Sequence, residues 1–279
     1  MNMTRHDKQK GASLPQPSAV QRFFGSVWVS VTIYFIVMGL IVYGSYSGAK
    51  GMGYNWQWHR VPQFLYSFTD EGFQLGEIFI GLGMTLKLSI TAFSFASVLG
   101  LLVALLRLSG LVLGKAVAIG YLEFIRNIPL LVLLYLFYYV LGPIFGFDRY
   151  SASILTLAVF HSALISEIFR AGINAMPKGQ WEAAKSIGMS TVQTYRYIIL
   201  PQSVRFMLPP MTGEVVHLVK SSSIVSVIAV AELTTIGRNI ISDTFLSFEI
   251  WFTIALVYLA VTLVLSVGVS FLERKYAVN

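Results

Sequence analysis

Six apolar segments of membrane-crossing length run through the chain, near 23–44, 78–106, 117–141, 151–170, 207–231 and 250–272. Each is about 20 residues or longer, which is what a helix needs to cross a hydrocarbon core. Only 12% of the 279 residues are charged and 56% are hydrophobic, whereas a soluble domain carries roughly a quarter charged residues. The intervals between the segments are too short to bury a separate water-soluble core, so one membrane domain is expected. The fold class that follows is an all-α membrane protein with six predicted transmembrane helices.

The distribution of positive charge orients these helices. If six spans alternate, Arg5, Lys8, Lys10, Arg22, Arg107, Lys115, Arg126, Arg170, Lys178, Lys185, Arg196, Arg205, Arg274 and Lys275 fall on one side. Only Lys50, Arg60, Arg149 and Arg238 fall on the other. By the positive-inside rule both termini and the loop containing Glu182 are cytoplasmic. The net charge of +7 is therefore a topology signal, and scattered basic residues between spans argue against nucleic acid as a partner. The first apolar run follows basic residues as a signal peptide would. It is too long for a typical signal core and has no clear small-residue cleavage site, so an uncleaved anchor is expected.

The absence of cysteine excludes a disulfide framework, thiolate metal ligands and a cysteine nucleophile. His161 and His217 are far apart in sequence, with no second His or Cys at ligand spacing, so no metal site is expected. Ser221-Ser222-Ser223 lacks a G-x-S-x-G frame, and small hydroxyl residues are common where membrane helices pack closely. The polar residues 1–22 are expected to be disordered. Residues 23–77 are read as an anchor with an external loop, in which Trp56, Trp58 and Tyr66 suit the membrane interface. The external segment 232–248 is expected to form a short surface helix.

The stretch from Pro177 to Pro201 is the polar exception. Pro177 and Gly179 break the preceding helix, and Gln180 to Ile187 contains good helix formers, with Gly188 placed as a stop. Ser190 and Gln193 have the spacing of a capping box, in which each side chain satisfies the other's free backbone donor. Val192, Tyr195 and Ile199 share one face of a second helix that Pro201 is expected to end. The result is a helix-turn-helix elbow. Ala183 and Ala184, flanked by Trp181 and Ile187, let a short helix enter a groove on a partner. An amphipathic helix resting on lipid headgroups satisfies the same pattern.

Glu182-Ala183-Ala184, three residues, Gly188, nine residues, Ile198, one residue and Leu200-Pro201 reproduce a motif in full. Through it the chain resembles the permease subunits of ATP-binding cassette (ABC) importers. The segments Gly83–Ser89, Glu123–Leu131, Glu167–Ile173 and Pro177–Gln180 are similar to the polar amino acid branch of that family. The resemblance covers roughly residues 78–275, with 276–279 left as a tail. It implies the five-helix core of a type I importer with a cytoplasmic coupling helix. It further implies that the loop carrying Glu182, Ala183, Ala184, Gly188, Ile198, Leu200 and Pro201 docks on a cytoplasmic ABC ATPase dimer. ATP and Mg would belong to that partner, with no cofactor bound by this chain, and no P-loop pattern G-x-x-x-x-G-K-[ST] occurs here. A second permease subunit, an external or periplasmic amino-acid-binding protein and the bilayer of a bacterial inner membrane complete the implied assembly. A gradient-driven secondary transporter is the alternative, and would call for paired repeats with interrupted helices, which are not evident.

Candidate pathway residues are the ionisable groups at membrane depth, where a charge is costly and normally faces a partner or cavity. Glu214, His217 and Lys220 lie within one side of a helical wheel, with Ser221 close to that stripe. Together they offer an acceptor for an ammonium group and a donor for a carboxylate, or Glu214 and Lys220 satisfy each other. Lys87, inside the second span, either snorkels to the interface or meets substrate. Glu123 and Arg126 are spaced for a mutual salt bridge. Glu167 is read as a gate contact or as part of an ion-pair set.

Overall fold

The computed structural model describes residues 27–69 and 72–276. The expected disordered start at 1–22, the basic residues Arg5, Lys8, Lys10 and Arg22, and the tail at 277–279 lie outside them. The chain divides into two compact units, Met1–Trp56 and Gln57–Asn279, and the expected anchor-plus-loop region 23–77 falls across both. The first unit contains helix α1, Val27–Gly51, with none of its residues buried.

The second unit opens on the external-loop sequence with a 3₁₀ turn, Trp58–Arg60, and a one-turn helix α2, Pro62–Leu65. A hairpin follows, β1 Tyr66–Thr69 against β2 Gly72–Leu75, paired Tyr66 to Leu75 and Phe68 to Phe73. Side chains alternate across a strand. Tyr66, Phe68, Phe73 and Leu75 therefore form one exposed apolar face. This is the one departure from an all-helical fold among the described residues. The segment is tied down at both ends: the Gln57 amide donates to Glu249 at 2.6 Å, and the Gly76 amide donates to the Leu65 carbonyl at 2.7 Å.

The remaining helices are α3 Glu77–Leu108, α4 Val112–Arg126, α5 Leu130–Phe145, α6 Arg149–Asn174, α7 Lys178–Ser186, α8 Thr191–Ile228, α9 Leu233–Thr244 and α10 Ser247–Tyr276. Helices α1, α3, α6 and α10 are each long and apolar enough to span alone. The bent pairs α4/α5 and α8/α9 bring the number to as many as six. The apolar run read as one third span is a 104° corner. Pro129 has no amide hydrogen and disfavours helical backbone in the residue before it, which ends α4 and restarts the chain as α5. At the start of α6 the Asp148 carboxylate accepts from the Ser151 amide at 2.8 Å. Hydrogen bonding to the Ser151 side chain and backbone holds Asp148 below the usual carboxylate range.

The broadest interface joins α3 to α6. A Cβ on Gly100 would lie 2.8 Å from Ile165 Cγ2 and 3.0 Å from the Ser162 carbonyl oxygen, so glycine is what allows that approach. Leu88 and Ala92 of α3, Leu157 of α6, and Leu218 and Val225 of α8 form one buried core. A second core packs α9 against α3 and α10 through Ile78, Leu233, Ile240, Ile250 and Ile254. The 232–248 segment is thus a buried amphipathic helix rather than a surface one, because its Leu and Ile recur on the face turned to its neighbours. A third core, Ile173, Met176, Ile199 and Met207, joins α6 to α8 beside the elbow.

Candidate functional site: the elbow and a His-Glu-His cluster

The elbow forms largely as its residue chemistry dictates. Gly188 adopts φ +77, a conformation that side-chain-bearing residues rarely take. Its amide donates to Lys185 O at 3.0 Å and the Met189 amide to Ala184 O at 3.1 Å. These two bonds are the Schellman closure of α7. Ser190 and Gln193 make both halves of the capping box, the Ser190 amide to Gln193 Oε1 at 2.8 Å and the Gln193 amide to Ser190 Oγ at 3.3 Å.

Two features differ from the sequence reading. Pro201 does not end the second helix, which continues as α8 because a π turn over Thr194–Ile199 precedes the proline and absorbs its missing donor. The two small and two large residues of α7 also divide differently. Trp181 turns inward onto the Tyr195 ring, centroids 5.1 Å apart, and Ala184 is buried. Glu182 and Ala183 face outward, and Ile187 is 75% exposed. Gln202 Nε2 donates to Gln180 Oε1 at 3.1 Å. Ile198 and Leu200 pack on the core beside the elbow, while Pro201 is exposed. The motif thus holds an outward half, Glu182, Ala183, Gly188 and Pro201, and an inward half, Ala184, Ile198 and Leu200, that fastens α7 to α8. An apolar cleft of about 490 Å³ lies beside them, lined by Leu105, Leu108, Val192, Tyr195 and Arg196 among others.

In the span, Glu214 is not joined to Lys220. Its carboxylate oxygen Oε1 lies 2.5 Å from His161 Nδ1 and 3.6 Å from His217 Nδ1. His161 is wholly buried on α6, Glu214 has 12% side-chain exposure and His217 has 54%. The imidazole rings meet edge to face at 5.3 Å between centroids. His161 Nε2 is buried with no hydrogen-bond partner among the described residues, so Nδ1 is the ring's polar outlet. The sequence separation of His161 and His217, which argued against a metal site, is therefore not a separation in space: the three ligand-type atoms lie within 4.8 Å of one another. Lys220 is exposed and Ser221 half-buried, one to two turns farther along α8.

Glu167 holds a second ionic cluster at the elbow end of α6. It pairs with Arg107 of α3 and accepts from Arg170 Nε at 2.9 Å. Arg107, read from sequence only as a topology charge, is thus a cross-helix partner. Its position at the end of an apolar span, level with an acidic residue on the neighbouring span, was the available signal. No salt bridge joins Glu123 to Arg126. Instead Asn127 Nδ2 donates to the Glu123 carbonyl at 2.6 Å and its carboxylate at 3.3 Å, as the corner before Pro129 draws Asn127 back over α4. Lys87 is exposed, with Nζ 5.9 Å from the centre of the Tyr150 ring.

Comparison with known proteins adds to this geometry. Residues 96–278 match the family described as the binding-protein-dependent transport system inner membrane component. The chain is 39% identical over 193 residues to the probable glutamine ABC transporter permease protein GlnM of Bacillus subtilis (strain 168), spanning 68% of this chain and 89% of the relative. It is 37% identical over 198 residues to the glutamine transport system permease protein GlnP of Escherichia coli (strain K12), spanning 70% and 90%. A chain in the crystal structure of an amino acid ABC transporter with histidines is similar at TM-score 0.66 and 40% identity, covering 71% of this chain and 94% of that one. The MetNI methionine ABC transporter shares the fold at TM-score 0.64 and 20% identity, covering 72% and 97%. The elbow motif, the helical core and these matches agree: this chain belongs to the binding-protein-dependent transport system inner membrane component family, as a multi-pass ABC importer permease.

Proposed function

We propose that this permease forms the pathway for a polar amino acid and couples it to ATP hydrolysis through α7. The observation that carries the coupling is the fastening of α7 to α8 by the Trp181–Tyr195 contact, the Gln180–Gln202 hydrogen bond and the buried Ala184. A force applied to the outward Glu182–Ala183 face is thereby delivered to the span that carries Glu214. Closure of a cytoplasmic ABC ATPase dimer, which brings ATP and Mg, drives two such elbows together and shifts the bundle between inward-open and outward-open packing. This chain has no P-loop of its own and depends on that partner for hydrolysis.

The names of the relatives support an amino acid as cargo. Glu214 accepts from its ammonium group, with His217, Lys220 and Ser221 farther along the same helix, while Lys87 and the Glu167 cluster flank the route. The partner permease, an identical or related chain, closes the pathway by a twofold or pseudo-twofold interface. The setting is a bacterial inner membrane with both termini cytoplasmic, which the asymmetry of Lys and Arg supports, and an external binding protein delivers the cargo.

Reconstitution with the ATPase and binding protein in proteoliposomes tests this. Glu182→Lys is expected to leave membrane insertion and thermal stability unchanged while ATP hydrolysis proceeds without uptake. Undiminished uptake in that variant, or uptake by the wild type with a hydrolysis-dead ATPase, would overturn the reading.

A further inference from the structure

His161, Glu214 and His217 come from two different helices, α6 and α8, and direct Nδ1, Oε1 and Nδ1 toward one another. Two imidazoles and one carboxylate are a donor set for a borderline transition metal, whereas hard cations such as Mg²⁺ and Ca²⁺ take oxygen ligands almost throughout. A tetrahedral Zn²⁺ holds nitrogen and oxygen ligands at about 2.0–2.2 Å, which places them roughly 3.3–3.5 Å apart. The two spacings from Glu214 Oε1, 2.5 Å and 3.6 Å, bracket that value, all three ligand atoms lie within 4.8 Å of one another, and adjustments of about 1 Å are within reach of side-chain rotation. The exposed side of His217 leaves the fourth position to water.

We propose that these three residues form a reversible Zn²⁺ site that bridges α6 and α8 and arrests the transport cycle while filled. The inference goes beyond the importer reading and rests on it only for the consequence of bridging two helices that must move. Binding moves the single proton of the neutral His161 ring from the Nδ1–Glu214 Oε1 line to Nε2, with no net proton released, so that a neutral imidazole and an ionised carboxylate face the metal. After that shift the proton sits on His161 Nε2, which lacks an acceptor among the described residues. That cost makes this a weak, exchangeable site rather than a structural one. Within the cluster α6 contributes only His161 and α8 contributes Glu214 and His217, so a filled site cross-links the helices through both.

The test uses the purified complex of permease and ATPase, without nucleotide or amino acid. Co²⁺ is added to report its coordination by visible absorption, and Zn²⁺ is added to displace it. One equivalent per permease chain is expected. His217→Leu, at a half-exposed position, is expected to weaken binding at least about tenfold, whereas His217→Asp restores a ligand and retains it within that range. His59→Leu, on the turn Trp58–Arg60, serves as the control and is expected to bind as the wild type does. In proteoliposomes, Zn²⁺ is expected to depress wild-type uptake reversibly on chelation and to lose that effect in His217→Leu, each variant being compared with its own metal-free rate. Equal affinity in the wild type and His217→Leu, no binding by the wild type, or binding without any effect on uptake would each overturn the proposal. These failures leave ATP-dependent uptake intact, so they are distinguishable from failure of the importer reading.

Discussion

Glu232 has no solvent exposure, yet four donors converge on its carboxylate: the amides of Thr234 and Thr235 at 2.9 and 2.8 Å, the Tyr258 hydroxyl at 3.0 Å and the Thr235 hydroxyl at 3.3 Å. It caps α9 and ties that helix to α10. Replacing a capping side chain costs about 1 kcal/mol, and stranding a buried donor adds about 1–3 kcal/mol. Glu232→Ala is therefore expected to destabilise the permease by roughly 2–4 kcal/mol. Glu232→Gln, which keeps one acceptor oxygen, should lose less, as a smaller fall in unfolding temperature in detergent would show. Equal melting of Glu232→Ala and the wild type would remove the cap from the account. Residue-scale chemistry was legible where partners are close in sequence, as in the Ser190–Gln193 capping box and the left-handed Gly188. It was not legible where partners sit on different helices. Glu214 finds His161, 53 positions away, and a helical wheel drawn for one span contains no information about the face of another.

At the scale of elements, apolar length identified α3, α6 and α10, because a long uninterrupted apolar run has one outcome in a bilayer. It did not identify the α4/α5 corner, where Pro129 interrupts the backbone without interrupting hydrophobicity. It also did not show that Pro201 lies inside a continuing helix. Packing between elements depends on atoms that hydropathy ignores, and α3 offers a paired test. A methyl group on Gly100 would press on Ile165 Cγ2 and the Ser162 carbonyl, whereas one on Gly83 would meet nothing within 4 Å. Gly100→Ala is thus expected to destabilise by about 1–3 kcal/mol, the usual result of overpacking. Gly83→Ala should be neutral or stabilising by up to about 1 kcal/mol, since alanine is the better helix former. Opposite signs in a thermal unfolding assay support α3–α6 contact as the limiting packing. If both variants melt alike, some other interface governs stability.

At the scale of the whole molecule, the buried cores lie within Gln57–Asn279, and the family match at 96–278 falls inside that unit. A relative matched over 89% of its length aligns with 68% of this chain. Hydropathy marked 23–44 as a span like the rest, and α1 over Val27–Gly51 is long and apolar enough to be one. The hairpin at 66–75 escaped because its alternation covers four residues per strand, too few to stand out among aromatic interface sequence. If packing within Gln57–Asn279 alone sustains the permease fold, a chain beginning at Gln57 behind a new initiator Met should insert and melt within a few degrees of the full chain. Under the proposed function it should also stimulate ATP hydrolysis by a partner ATPase in response to a loaded binding protein. A shift of roughly 10 °C or more would mean a loss of about 2.5–5 kcal/mol. The stability of the permease fold would then depend on residues 1–56, and the premise would fall.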